Sequence, residues 1–272
     1  MMRFSLLLTF ALAACGPGRT TFARYPGAAI VFDRNASDPK AVAIADRVIA
    51  AAGGAERWAQ AKQIRWSETI KDGDKVLAAG EEAWDRWDGR HYGRLHTPDD
   101  SDMIVMRNIY QVTAGAAYIE RGRAKEKLGD TDTKNAMKSA IERWQFDTAV
   151  LCMPFLLEEP GVKLVYAGER EGTDGKGPLD DLEVRFDPKD GTRTATYHVI
   201  VNRETNLIDR IEVAKGGDAM RIAYQVSKWV DAGGLKLPTS FQNIGYAAEV
   251  VTFKDVSVTA EPEDILYVPQ VN

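Results

Sequence analysis

The sequence predicts a mainly β protein of the α+β kind: a curled antiparallel sheet forming an incomplete β-barrel, covered by an N-terminal helix and a mid-chain helical insertion. Three observations carry this expectation. Short alternating apolar and polar segments recur at intervals of about 8–15 residues with Gly, Asp and Asn turns between them, the pattern of antiparallel neighbours. Helical periodicity is confined to residues 38–61 and 131–158. The strands number about ten or eleven, and a sheet that long curls or closes, with segregated helices covering its open side.

The chain opens with Arg3 and the apolar run Phe4 to Ala11, then Leu12-Ala13-Ala14-Cys15. A positive start, a short apolar stretch and small residues before a cut describe a secretory signal. The run is shorter than the roughly 20 apolar residues of a spanning helix. Leu-Ala-Ala-Cys resembles the bacterial lipobox, which implies removal of residues 1–14 and acylation of Cys15. Gly16 after the cysteine, rather than Asp, resembles lipoproteins sent on to the outer membrane. Residues 15–36, with Gly16, Pro17, Gly18, Pro26 and Gly27 and no clear period, read as a tether; Ala28 to Phe32 is apolar enough to dock on the domain. Residues 37–272 read as a single domain.

Ser37 or Asp38 caps a first helix with Pro39 in its opening turn, and Val42, Ala45, Val48, Ile49 and Ala52 share one face. Gly53-Gly54 ends it, and a short helix from Ala55 to Ala61 leads into Ile64-Arg65-Trp66. Ile64, Trp66, Glu68 and Ile70 then alternate with polar partners, and Asp72-Gly73 turns the chain. A return strand runs from Val76 to Trp87, and Asp88-Gly89 leads to His91–Leu95. Met103 to Tyr110 is apolar on both faces, so it should be covered on both sides, with Ala116–Ile119 beside it. In the insertion, Ala136, Met137, Ala140, Ile141 and Trp144 recur at helical spacing. The run from Ala149 to Leu157 is almost wholly apolar, with Pro154 breaking it. Strands follow at Val162–Tyr166, Leu182–Phe186, Ala195–Val201, Leu207–Val213, Met220–Val226, Leu235–Phe241 and Val250–Val258, with turns at 188–191, 202–206, 216–218 and 231–234.

The composition, 44% hydrophobic and 28% charged, is that of a globular chain with a substantial core. The net charge of −5 leaves no basic footprint for nucleic acid. Of the two cysteines, Cys15 and Cys152, the second sits in an apolar run and reads as a buried hydrophobe. Signals for catalysis are poor. His91, His96 and His198 are far apart, and there is no Gly-x-Ser-x-Gly, His-Glu-x-x-His or phosphate-binding glycine loop. Glu81 and Glu82 point to opposite faces of a strand. His96 with Asp99, Asp100 and Asp102 fits no calcium loop and reads as a solvated acidic turn. The chain is therefore expected not to be an enzyme and to need no cofactor or metal. Trp58 and Trp66 read as core anchors, whereas Trp84, Trp87 and Trp229 are expected at a rim or membrane interface.

Gly53-Gly54-x-x-x-Trp58 before Ile64-x-Trp66 resembles the N-terminus of proteins similar to the outer-membrane lipoprotein carrier and acceptor, the LolA/LolB-like family. So do Trp84 and Trp87 before Gly89-Arg90, the mid-chain insertion, and Gly233-Gly234 before Leu237-Pro238. The resemblance implies a half-barrel whose concave apolar face, covered by helices, binds acyl chains or whole lipoproteins, in a protein of the bacterial envelope. The residues supply an apolar lining of their own: Met103, Val105, Ile109, Trp144, Met153, Phe155, Leu156 and Leu157 are the candidates for contact with a ligand. The expected partners are a lipid or hydrophobic small molecule and, through the acyl anchor, the outer membrane on its periplasmic side. The alternative is an interaction or sensor module that docks an envelope protein on the same fold without ligand transfer.

Overall fold

A computed structural model describes residues 32–97, 99–109, 111–172, 177–186, 195–214 and 221–268. Cys15 and residues 16–31 lie outside the described residues, as do the turns expected at 188–191 and 216–218. Helix α1 (Pro39–Ala51) and the short α2 (Ala55–Gln60) come first, followed by strands β1 (Gln63–Asp72), β2 (Lys75–Asp85), β3 (Arg90–His96), β4 (Asp102–Asn108), β5 (Gln111–Arg121) and β6 (Ala124–Lys127). Helices α3 (Asp130–Leu151) and α4 (Met153–Leu156) form the insertion. The remainder is β7 (Val162–Arg170), β8 (Leu179–Phe186), β9 (Thr196–Asn202), β10 (Ile208–Ala214), β11 (Arg221–Ala232), β12 (Leu235–Asn243) and β13 (Glu249–Thr259).

All thirteen strands form one antiparallel sheet in the order β6-β5-β4-β3-β2-β1-β13-β12-β11-β10-β9-β8-β7. The first strand pairs with the last, Gln63 opposite Thr259, which joins the two meanders into one surface. Edges β6 and β7 do not meet, so the sheet is an open, curled half-barrel. Among the strands beyond the ten or eleven expected is β6, Ala-Lys-Glu-Lys, which has no apolar alternation and is recognised only by its pairing with β5.

Local chemistry sets the boundaries. Asp38 accepts from the Lys40 and Ala41 backbone N–H groups and caps α1. The same capping segment covers the free edge of β7: Asp38 N–H donates to Leu164 O at 2.9 Å, and Leu164 N–H donates to the Ser37 hydroxyl at 3.1 Å. After α1, Gly53 takes φ 118°, and a Cβ there would stand 2.3 Å from Gly234 O, so only glycine lets the helix end against the β11–β12 turn. The strand expected to run to Trp87 stops at Asp85, whose Oδ1 accepts from Trp87 and Asp88 N–H and starts the turn. In the insertion the helix ends at Leu151, ahead of Pro154. A proline in the continuing helix would clash with the Val150 carbonyl, so it sits instead in the first turn of α4.

The main core fills the space between α1, α2, α4, the C-terminal end of α3 and the sheet. Trp58 stacks on Phe155 with centroids 4.6 Å apart, and the buried Arg86 donates to Trp58 O and Ala61 O at 2.6 Å each, satisfying the carbonyls that end α2. Trp58 and Trp66 are core anchors, as expected. Trp84 is a correction: it is 5% exposed, edge-on to Trp144 at 5.2 Å, because its strand face turns inward under α3. Strand β4 is buried on both faces, Val105 on one and Ile104 and Met106 on the other. No helix among the described residues is long and apolar enough to cross a membrane.

Candidate ligand groove

Helix α3 crosses the concave face of the sheet, and its two halves meet that face differently. Register places Gly93 opposite Val105 and His91 opposite Arg107, then Val105 opposite Ala117 and Arg107 opposite Gly115. The small side chains there admit only a thin contact layer: Val105, Ala117, Ala136 and Met137, with Met103, Leu128 and Ala140 at its margin. Beside it the N-terminal half of α3 leaves an open groove of about 610 Å³ over β4 and β5. Ile109, Met137 and Ile141 supply its apolar wall, and Arg107, Lys134 and Lys138 bring positive charge. A second, much smaller cavity of about 40 Å³ lies between α3 and β2–β4, bounded by Glu82, Gly93, Met103, Val105, Ala140 and Arg143 among others. It has room for little more than water.

Between groove and core lies a buried polar cluster. Arg143 of α3 pairs with Glu68 of β1, reaches Glu82 of β2 at 3.1 Å and stands 3.9 Å from Asp147 one turn on. Trp66 Nε1–H donates to Asp147 Oδ2 at 2.9 Å, and His91 Nε2 meets Glu82 Oε2 at 3.0 Å. Three carboxylates therefore face one guanidinium out of water. Burial, together with the charges of Glu68 and Glu82, pushes the Asp147 carboxyl well above the usual range. Burial likewise raises Glu68, with Arg143 pulling it partly back.

The eight lining candidates divide. Ile109 borders the large groove, and Met103 and Val105 border the small cavity. Trp144, Met153, Phe155, Leu156 and Leu157 are at most 2% exposed and sit within the main core. Sequence reasoning missed the charged groove residues and the buried cluster. One signal was available: Glu68 shares the apolar face of β1 with Ile64, Trp66 and Ile70. Cys152 is buried. His96 meets Asp102 at 2.5 Å, and His198 meets Asp181 at 2.9 Å. Among the described residues no group of three or more His, Cys, Asp or Glu is arranged to hold a metal ion.

An open, curled antiparallel sheet with helices across its concave face is the architecture that the sequence resemblance implied. No protein-family model matches the chain, and no curated protein matches it by sequence. Among solved structures, a DUF1329 family protein from Desulfovibrio piger aligns over 85% of this chain and 98% of its own, with a TM-score of 0.50 and 13% identity. A LolA superfamily protein from Nitrosomonas europaea aligns over 83% and 96% (TM-score 0.47, 10% identity). An outer membrane lipoprotein-sorting protein domain from Vibrio parahaemolyticus, described as putative, aligns over 84% and 96% (TM-score 0.46, 10% identity). At 13% identity the likeness to the Desulfovibrio piger protein concerns the fold alone.

Proposed function

We propose that this is an envelope protein, lipid-anchored through Cys15, that holds an acyl chain, lipid or other apolar ligand between α3 and strands β4 and β5, with no chemical step. The observation that carries the reading is the open groove of about 610 Å³ beneath α3, within the roughly 300–1,000 Å³ of small-molecule sites. Ile109, Met137 and Ile141 offer an apolar wall, and methionine adapts to ligands of irregular shape. Each methylene moved there from water contributes about 0.8 kcal/mol. The lipobox pattern supports an address at the outer membrane facing the periplasm, where such a protein serves lipid or lipoprotein trafficking.

Ile141→Trp is the test, since Ile141 lines the groove and is not a member of the buried polar cluster. Protein purified from its own membranes, extracted with organic solvent and analysed by mass spectrometry is expected to release lipid in stoichiometric amount. The variant should release little while its unfolding midpoint stays within a few degrees. Wild-type protein that is consistently empty would sink the proposal. If it also captured an envelope protein equally well with Ile141→Trp, the docking alternative would replace it.

A further inference from the structure

Arg107 of β4 is an anomaly in this groove. Its side chain is on the concave face and the residue is 7% exposed. One nitrogen, Nη1, donates to Met137 O at 2.6 Å, while Nε is buried without a hydrogen-bond partner. Arg86, which is also buried, is matched by Glu159, and the partly buried Arg143 by Glu68 and Glu82. Among the described residues no carboxylate stands within ion-pair distance of Arg107. Burial alone presses its pKa down, with no acid nearby to hold it up. An unpaired buried cation is costly, and this one borders the open groove of about 610 Å³ beneath α3.

Among the described residues its surroundings lack an acid that could serve. His91 lies across the strand pair and is engaged with Glu82. The groove-lining residues contribute two further cations, Lys134 and Lys138, and a single acid, Asp130, exposed at the start of α3. Lys138 touches Glu142 only at 4.0 Å with both side chains largely exposed, a contact of small consequence. The wall is thus apolar at Ile109, Met137 and Ile141 and cationic at three points, with one cation out of water.

We propose that the groove takes an anionic amphiphile, its carboxylate or phosphate head held by Arg107, Lys134 and Lys138 and its tail lying on Ile109, Met137 and Ile141. The proposal rests on the reading of the groove as an apolar-ligand site and adds the charge of the head. A guanidinium fork matches the paired oxygens of either anion, and the ligand supplies the counter-charge that the described residues do not.

The test is isothermal titration of the purified full-length mature protein with C16 amphiphiles that differ only in the head: hexadecanoate, hexadecyl phosphate, hexadecanol and hexadecyltrimethylammonium, with inorganic phosphate alone as a further arm. Both anionic amphiphiles are expected to bind about tenfold or more tightly than hexadecanol, and the cationic one more weakly still. Arg107→Gln should bring hexadecanoate down to the affinity of hexadecanol while leaving hexadecanol unchanged. The exposed pair Lys134→Gln and Lys138→Gln, which spares the interior, should lose part of the preference. Equal affinity for hexadecanol and the anions overturns the anionic head and leaves the apolar groove standing. Failure of every amphiphile to bind overturns both. Inorganic phosphate binding as tightly as hexadecyl phosphate overturns the amphiphile in favour of a free anion.

Discussion

Glu158 has a buried side chain, 1% exposed, within 2.8 Å of a half-exposed Arg34 that also holds Asp46 at 2.7 Å. Burial and the Asp46 charge push its carboxyl up to about 7, against the pull of Arg34. The sign follows from proton counts: between the ordinary carboxylate range and pH 7 the folded protein holds a proton that the unfolded chain has released. Stability therefore falls as pH rises through that window. A shift of this size corresponds to at most about 3 kcal/mol. Urea unfolding from pH 4.5 to 7.5 is expected to show this decline, and Glu158→Gln should flatten it by a measurable part; a variant as steep as the wild type would refute the assignment. In the sequence Glu158-Glu159 is only an adjacent acidic pair. Their separate partners, Arg34 for one and Arg86 with Trp58 for the other, come from distant parts of the chain.

At the scale of elements, α3 is two helices in one. Its first half touches the sheet through Ala136 and Met137 and leaves the groove open. Its second half is pinned by Arg143 and enters the core at Trp144. Removing the pin in Arg143→Met strands Glu68, Glu82 and Asp147 together in the interior, and the expected cost is about 3–5 kcal/mol in denaturant unfolding. Asp147→Asn should cost far less, because burial already favours the uncharged form of that carboxyl and the amide oxygen can still accept from Trp66 Nε1. Comparable losses for both variants would show that the cluster is not organised around the arginine. The apolar spacing of Ala136, Met137, Ile141 and Trp144 was enough to place this helix. The position of Glu68 between Trp66 and Ile70 hinted at a buried acid. That Arg143 answers it could not be read, since helical spacing gives a face but not the strand beneath it.

For the whole molecule, openness is the governing feature, and an open sheet has edges to protect. The β7 edge is covered by Ser37 and Asp38, and the β6 edge carries Lys125, Glu126 and Lys127, charges of the kind that discourage strand addition. Lys125→Val with Lys127→Val is therefore expected to promote self-association, seen as a concentration-dependent mass increase by light scattering; a strictly unchanged mass would show that the edge is guarded otherwise. The sequence by itself determined the sheet class, most hairpins and both helical segments, because each is set by local periodicity, turn chemistry or end signals. Only the tertiary structure decided where the apolar insertion is filled and where it is open. Phe155, Leu156 and Leu157 meet α1, α2 and the sheet and close the core, while the first half of α3 faces Gly93, Gly115 and Ala117. A Cβ at Gly115 would already stand 2.9 Å from Met137, so Met137 makes the contact there and the groove opens beside it; the identity of facing residues is settled by strand register across the sheet, not by any one stretch of chain.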